Sequence, residues 1–241
     1  MDIKFVDVIL PVYNILKFKN LLIKSIQSVI NQSYPHWNLI IVDDCSSDGT
    51  YEFLVTHLQQ LNNDKIRLIR NNSNKGCYVS MNEGILKSSG DYVTRLDSDD
   101  FFYKDKLLEQ VKVLKNNNIV ATYCLNKIVQ TKKVTFFNCI TLMFRRSIIN
   151  NIGYYDSVRV GADSEFLDRL VLVYKKRIYG LKKLLYYVNK RPGSLTTSKN
   201  TGTIHNTIGR KRRNSYKKRF KQWHKINKKL YIPYPLTKRL F

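Results

Sequence analysis

A doubly wound α/β domain with a mostly parallel sheet is the architecture this chain encodes, followed by a smaller mixed lobe and a basic helical tail. Short apolar runs alternate with helical patterns through the first hundred residues, the βαβ order that builds parallel sheets with right-handed crossovers. Two of these runs are closed by acidic clusters. Asp43-Asp44 ends Leu39-Ile40-Ile41-Val42, and Asp97-Ser98-Asp99-Asp100 ends Tyr92-Val93-Thr94-Arg95-Leu96. Apolar runs of this length, bounded by turn residues, read as buried parallel strands. Ligands of open α/β sheets bind beyond the carboxyl ends of the strands. Carboxylates gathered there repel one another unless a cation or a donor-rich ligand sits between them. Oxygen ligands suit Mg²⁺ or Mn²⁺, with substrate phosphates completing the shell. The chain therefore implies a metal-bridged nucleotide.

The elements follow in order. A first strand over 5–10 runs into Pro11-Val12-Tyr13-Asn14. Leu21, Leu22, Ile26, Val29 and Ile30 have helical spacing, giving a helix over 18–31. The second strand is 37–42, and Ser46-Ser47-Asp48-Gly49-Thr50 is turn and N-cap chemistry for a helix over 50–61. A strand over 65–70, a loop through Asn71–Gly76 in number 71–76, a helix over 77–88 closed by Gly90, and a strand over 91–96 complete the front. Beyond it the spacing predicts a helix over 104–116, β-like runs at 119–126, 133–137 and 140–145, and helices over 146–151 and 163–174. Strand-like segments at 177–180 and 184–189 end at Arg191-Pro192-Gly193-Ser194. Tyr216, Phe220, Trp223, Ile226 and Leu230 form an apolar stripe among Lys and Arg, a cationic amphipathic helix over 210–230. The expected division is 1–103, 104–200 and 201–241, the first two being halves of one domain.

Charge divides the chain more sharply than hydrophobicity does. Of 241 residues 43% are hydrophobic, an ordinary globular share, while the net charge is +24. Residues 1–168 hold 20 basic and 18 acidic residues, and residues 169–241 hold 22 basic residues and no acid. Such asymmetry suggests contact with phosphate, nucleic acid or an anionic membrane face, although Lys and Asn are abundant throughout. No apolar run approaches the roughly 20 residues that span a bilayer, and Met1-Asp2-Ile3-Lys4 has no signal-peptide layout. Cys45, Cys77, Cys124 and Cys139 form no C-x-x-C pair, and the four histidines no ligand pair, which argues against zinc. The expected setting is cytoplasmic, with peripheral contact on the cytosolic membrane face through 210–230.

Taken together the motifs resemble the family 2 glycosyltransferases, which have the GT-A fold, over roughly residues 5–195. The resemblance rests on Val8-Ile9-Leu10-Pro11-Val12-Tyr13-Asn14, then Ile41-Val42-Asp43-Asp44-Cys45-Ser46-Ser47-Asp48-Gly49-Thr50, Asn74-Lys75-Gly76 with Asn82, Gly90-Asp91-Tyr92-Val93 leading to Leu96-Asp97-Ser98-Asp99-Asp100, and Gly161-Ala162-Asp163-Ser164-Glu165. It implies a nucleotide-sugar site drawn from Pro11, Tyr13, Asp43, Asp44, Lys75, Asp97, Ser98, Asp99 and Arg191. Mn²⁺ or Mg²⁺ would be held by Asp97 and Asp99, with Asp97 also on the ribose. In the family the second acid of the Asp43-Asp44 pair contacts the base, and the first supports the loop. Asp163 stands where the family carries its catalytic base, with Ala162 in place of a preceding acid that many members have, and Glu165 as a neighbouring candidate. Arg145, Arg146 and the turn 153–156 would line the acceptor side, and Arg191 and Ser194 would approach the diphosphate.

The residues also have plainer readings. Tyr13 offers a face for a base to stack on, or packs as a loop aromatic. Asp44 can accept a hydrogen bond from a uracil-type ring N–H; Asp43-Asp44 could instead cap the next helix, but Ser46 or Ser47 fits that role. Lys75 faces base or phosphates, or is a solvated loop lysine. Asp100 reads as a cap for the helix near Lys104, and Asp163 as either base or N-cap. The implied function is inverting, metal-dependent transfer from a nucleoside-diphosphate sugar, chiefly a UDP-sugar, to a hydroxyl on a glycan, lipid-linked or protein acceptor. A sugar-phosphate nucleotidyltransferase would need a Gly-rich loop after the first strand, where Pro11-Val12-Tyr13-Asn14-Ile15-Leu16 stands. The alternative from another class is a cationic membrane- or nucleic-acid-binding protein on an inactive scaffold. For the tail itself, a single apolar stripe fits lying on a membrane or docking on the core better than binding nucleic acid.

Overall fold

The computed structural model describes residues 3–136, 139–198, 200–201 and 207–241. In chain order the elements are β1 (Val6–Val12), α1 (Lys19–Ile30), β2 (Trp37–Asp43), α2 (Thr50–Leu61), β3 (Ile66–Arg70), α3 (Cys77–Leu86), β4 (Tyr92–Arg95), β5 (Phe101–Phe102) and α4 (Lys106–Leu114). They continue as β6 (Ala121–Ile128), β7 (Val134–Thr135), β8 (Met143–Arg145), α5 (Ile149–Ile152), α6 (Ala162–Tyr174), β9 (Ile178–Val188) and α7 (Thr207–Ile226). One sheet in the order β3-β2-β1-β4-β8-β6-β9-β5 joins them, with β7 on β6. The strands β3, β2, β1 and β4 are parallel, β8 runs antiparallel to β4 and β6, and β9 is parallel to β6.

Period-two alternation divides the core. Val8, Leu10 and Val12 of β1, with Leu39 and Ile41 of β2, pack with Leu22, Ile26, Leu54, Leu107 and Val111 on one face. Ile9, Ile40 and Val42 point the other way, onto Tyr78, Met81, Phe144 and Phe166. Both faces are covered by helices, which is why β1 and β2 read as unbroken apolar runs. Because β2 lies on one side of β1 and β4 on the other, the crossovers diverge there and a crevice opens beyond the carboxyl ends of β1 and β4.

Several expectations are corrected. The two strand-like segments near 177–189 are the single strand β9, whose register against β6 shifts between Cys124 and Asn126. The short β5, pairing Phe101 with Tyr187 and Phe102 with Tyr186, carries no periodic signal because it is two residues long. The run at 140–145 divides into a 3-10 turn over Cys139–Thr141 and β8, and the helix expected over 146–151 is a 3-10 turn followed by α5. The expected run at 133–137 ends partly outside the described residues.

The tail docks on the domain. Tyr216, Phe220 and Trp223 of α7 are buried, while Ile226, at the helix end, is 74% exposed. Three of the five stripe residues are therefore covered by protein and unavailable for insertion into a membrane. Beyond α7, Ile232 is threaded alongside α5: its N–H donates to the Ile152 carbonyl at 3.2 Å and its carbonyl accepts from Tyr154 N–H at 2.8 Å. Gly153 is required there, because a Cβ would lie 2.0 Å from the Ile232 oxygen and φ is +74°. Among the described residues no helix is long and apolar enough to cross a membrane.

Lys106, at the start of α4, is a buried cation against β4. Its ammonium donates to Thr94 Oγ1 at 3.1 Å and Gln110 Oε1 at 2.7 Å, and burial holds its pKa down to about 8, from 10.5. Between those values the unfolded chain binds the proton more strongly than the fold does, so this group makes stability rise with pH. Below about 8 both states are protonated and the full penalty applies. The expected outcome is that the stability difference between wild type and Lys106→Met, measured by urea titration, moves in favour of wild type as pH rises from 8 to 10; a flat difference would contradict it.

Candidate active site

The crevice is a cavity of about 680 Å³. Its first wall comes from β1. Pro11 and Tyr13 line it, and Tyr13 is 45% exposed, free to receive a planar ring. The loop beneath Tyr13 is pinned, because Asn14 N–H donates to Ser46 Oγ at 3.0 Å and Asn14 Oδ1 accepts from Ser47 N–H at 2.9 Å. Ser46 and Ser47 are thereby spent on this contact and do not cap α2, whose N-cap is Gly49; Asp48 accepts from Thr50 N–H instead.

The paired acids at the end of β2 have different tasks. Asp43 is fully buried outside the cavity lining, accepts from Ser46 N–H at 3.0 Å and faces Arg70 at 3.4 Å. Its position is behind the pocket, where it holds the loop. Asp44 lines the cavity and accepts from Asn71 Nδ2, Lys75 N–H and Gly76 N–H at 2.9, 2.9 and 2.7 Å. Lys75 contributes that backbone donor. Its side chain is exposed and outside the lining, contrary to the expectation that it faces base or phosphates. Arg159 crosses the same loop, donating to the Asn74 carbonyl at 2.8 Å, and lines the cavity.

Asp97, Ser98, Asp99 and Asp100 form the floor. Asp97 pairs with Arg95 Nε at 2.5 Å, and Ser98 is fixed by its carbonyl, which accepts from Ser25 Oγ at 3.1 Å. Asp99 lies 2.8 Å from Arg191 Nε, an ion pair without hydrogen-bond alignment. Burial, then repulsion from Asp97, raises Asp99 above the usual carboxylate range, and Arg191 opposes this. Asp100 does not cap α4. It accepts from Asn189 N–H at 2.7 Å and Tyr186 OH at 3.0 Å, tying the floor to β9, and burial with the charges of Asp97 and Asp99 pushes it well up. These carboxylates are short of positive charge. Asp97 and Asp99 are oxygen donors of the kind a hard divalent cation takes. Among the described residues no three metal-binding side chains converge on one point, so an ion held there would draw the rest of its shell from phosphate and water.

Arg95 was not foreseen. It lines the cavity, is 9% exposed, and its buried Nη1 has no hydrogen-bond partner among the described residues, a donor still to be satisfied. The available signal was a cation inside an otherwise apolar strand.

Asp163 lines the cavity from the first turn of α6. Gly161 is the N-cap, so Asp163 does not cap the helix; its Oδ1 accepts from Ser164 N–H at 2.8 Å. A hydrogen bond ties it to Cys139, whose thiol is pushed well up by burial and by the Asp163 charge. Glu165 is not a second base. It is fully buried outside the cavity, bound to Arg169 at 2.8 and 2.9 Å and to His224 of α7 at 2.9 Å. Arg145 and Arg146 also leave the acceptor side. Arg145 Nε donates to the Ile119 carbonyl and Arg146 Nε to the Gly90 carbonyl, at the opposite end of β4. The turn over 153–156 serves the tail, with Asp156 accepting from Tyr216 OH and pairing with Arg239, both at 2.9 Å. Arg191 and Ser194 do line the cavity.

An open sheet with a crevice at this switch point, lined by Asp44, Asp97, Asp99 and Asp163, is the arrangement of the GT-A fold. Solved structures agree on the fold. S. aureus TarS 1-349 in complex with UDP-GlcNAc superposes with a TM-score of 0.67 at 23% identity, over 80% of this chain and 60% of that one. The mannosyltransferase PcManGT from Pyrobaculum calidifontis, in complex with GDP-Man and Mn²⁺, gives 0.65 at 19% identity over 78% and 58%. The family sequence model described as Glycosyl transferase family 2 matches residues 7–164, and the chain belongs to that family. It is 30% identical over 224 residues to a putative glycosyltransferase, EpsE, of Bacillus subtilis, covering 84% of this chain and 79% of that protein. It is also 30% identical over 172 residues to the Escherichia coli UDP-Glc:alpha-D-GlcNAc-diphosphoundecaprenol beta-1,3-glucosyltransferase WfgD, covering 64% and 65%. With the putative teichuronic acid biosynthesis glycosyltransferase TuaG of B. subtilis it shares 36% over 118 residues, 49% of this chain and 45% of that protein. The chain thus spans about half the length of some relatives.

The burial of Glu165 separates structure from chemistry. Glu165→Ala strands the buried Arg169 guanidinium and is expected to cost roughly 3–5 kcal/mol, read as a lowered urea midpoint. A Glu165→Ala protein of unchanged stability with lost activity would return Glu165 to the list of bases.

Proposed function

We propose that this chain is an inverting, metal-dependent glycosyltransferase that moves a sugar from a nucleoside-diphosphate sugar, chiefly a UDP-sugar, to a hydroxyl acceptor. The observation that carries the reading is the shared cavity, which Asp97, Asp99 and Asp163 all line. The printed ligands of the TarS structures, UDP-GlcNAc and UDP, and the donor in the name of WfgD, support a uridine donor. The WfgD name also supports a lipid-linked acceptor among the glycan, lipid and protein alternatives.

Each residue then has a task. Tyr13 stacks on the base, and Asp44 accepts from its ring N–H while its other hydrogen bonds keep the 71–76 loop in place. Asp97 holds the ribose and Asp99 faces the diphosphate. Arg191, now paired with Asp99, and Arg95, whose Nη1 is unsatisfied, would bind phosphate oxygens. Mn²⁺ or Mg²⁺ on Asp97 and Asp99 would supply Lewis-acid neutralisation of the leaving diphosphate. Asp163 takes the proton of the acceptor hydroxyl as that oxygen attacks the anomeric carbon from the face opposite the leaving group. Displacement is direct, with no covalent sugar–enzyme intermediate.

The test is a screen of nucleotide-sugars for Mn²⁺-dependent release of nucleoside diphosphate, with transfer followed on the productive donor. Asp99→Ala is expected to lower metal-dependent turnover by about 100-fold or more; metal-dependent transfer that survives it would sink the metal assignment. Asp163→Asn is expected to lower kcat by roughly 10²–10⁴ with the donor KM and the urea midpoint little changed. An equal loss of stability would instead make Asp163 a structural residue.

A further inference from the structure

A second cavity, of about 390 Å³, lies between the loop carrying Val158 and Val160 and the face of α7. Its cations are Arg159, Lys211, Arg212 and Arg219, with Ser215 between them and no acid in the lining. Lys211, Ser215 and Arg219 recur every four residues, so one helix face presents them together. All four cations are exposed. Among the described residues Lys211 and Arg219 have no ion pair, and residues 169–241 contain no acid that could supply one. Arg159 and Arg212 also line the first cavity, where Asp163 stands. The two cavities therefore adjoin, and the cations they share line the same cavity as Asp163.

We propose that this second cavity is an acceptor subsite that binds the phosphate or diphosphate of an anionic acceptor, a reading that rests on the donor site proposed above. Like charges held together in this way are costly unless an anion joins them. Guanidinium forks suit phosphate oxygens in bidentate geometry, and four cations suit a group of more than one negative charge. Nucleic acid fits less well. The α7 aromatics that could stack bases, Tyr216, Phe220 and Trp223, are buried, and the cations line an open recess that shares Arg159 and Arg212 with the donor pocket. An anchored phosphate would set the distance from its sugar hydroxyl to Asp163, so α7 would select acceptors while standing outside the family match at residues 7–164.

The experiment is calorimetric titration of the full chain saturated with UDP and Mn²⁺, with inorganic pyrophosphate, decyl diphosphate and glucuronate as probes. Pyrophosphate is expected to bind, and Lys211→Glu/Arg219→Glu to weaken it at least about tenfold with UDP affinity and the urea midpoint unchanged. Lys211→Gln/Arg219→Gln is the gentler variant if charge reversal disturbs folding. Tighter binding of decyl diphosphate than of pyrophosphate supports the proposal with a lipid-linked source, and equal binding supports it with recognition of the phosphate group alone. Pyrophosphate that does not bind, that binds both variants as well as wild type, or that is outcompeted by glucuronate overturns it. Failure of UDP to bind would overturn the donor reading separately, while loss of pyrophosphate binding in the variants would still support the anion site.

Discussion

Mutual repulsion among carboxylates gathered beyond the end of β4 is the constraint around which the rest of the structure is arranged. Asp99 and Asp100 are both raised by burial and by their acidic neighbours. What offsets that cost comes partly from the same strand and partly from far along the chain. Arg95 lies inside β4, Arg191 follows β9, and the Tyr186 hydroxyl and Asn189 amide are brought in by β9 itself. The two-residue β5 pairs with β9 and sets this distance. A fold that concentrates negative charge at its ligand crevice is prepared for a cation and a donor-rich anion, and less stable without them.

The C-terminal segment is the second structural commitment. The aromatic part of its stripe, Tyr216, Phe220 and Trp223, is covered by the catalytic domain, and buried polar links join the two. Glu165 binds both Arg169 and His224, and Asp156 binds both Tyr216 and Arg239. Removing one member of such a set leaves a buried charge or donor without a partner. Docking in this orientation turns the cationic face outward beside the crevice. Fold stability and the placement of positive charge are thus served by opposite faces of the same helix.

The front of the domain was legible because each of its signals is local. Buried parallel strands need continuous apolar runs, and α2 falls on the expected residues, Thr50–Leu61. The acidic clusters were legible for the same reason, since a carboxylate at a strand end is visible without knowing its neighbours. The misreadings involve partners remote in sequence. Glu165 resembles a base or a first-turn acid until Arg169 and His224 close around it. Arg145 and Arg146 resemble acceptor-side cations until β8 pairs antiparallel with β4 and carries them to the far end. Lys75 sits in the right loop, yet only its amide is used. Arg95 passed as part of a strand although it lines the site.

By itself, then, the sequence determined the open α/β architecture, a ligand site beyond the carboxyl ends of its strands, the acidic clusters at the ends of β2 and β4 and the cationic character of the tail. Those properties follow from periodicity, turn chemistry and charge counts, which act over a few residues. Only the tertiary structure decided which carboxylates face the cavity and which are spent on ion pairs. It also decided that α7 buries its aromatic stripe and brings Arg212 and Arg213 to the rim of the crevice. Those outcomes depend on sheet order and on contacts between residues tens of positions apart, where desolvation and pairing choose among side chains that look equivalent along the chain.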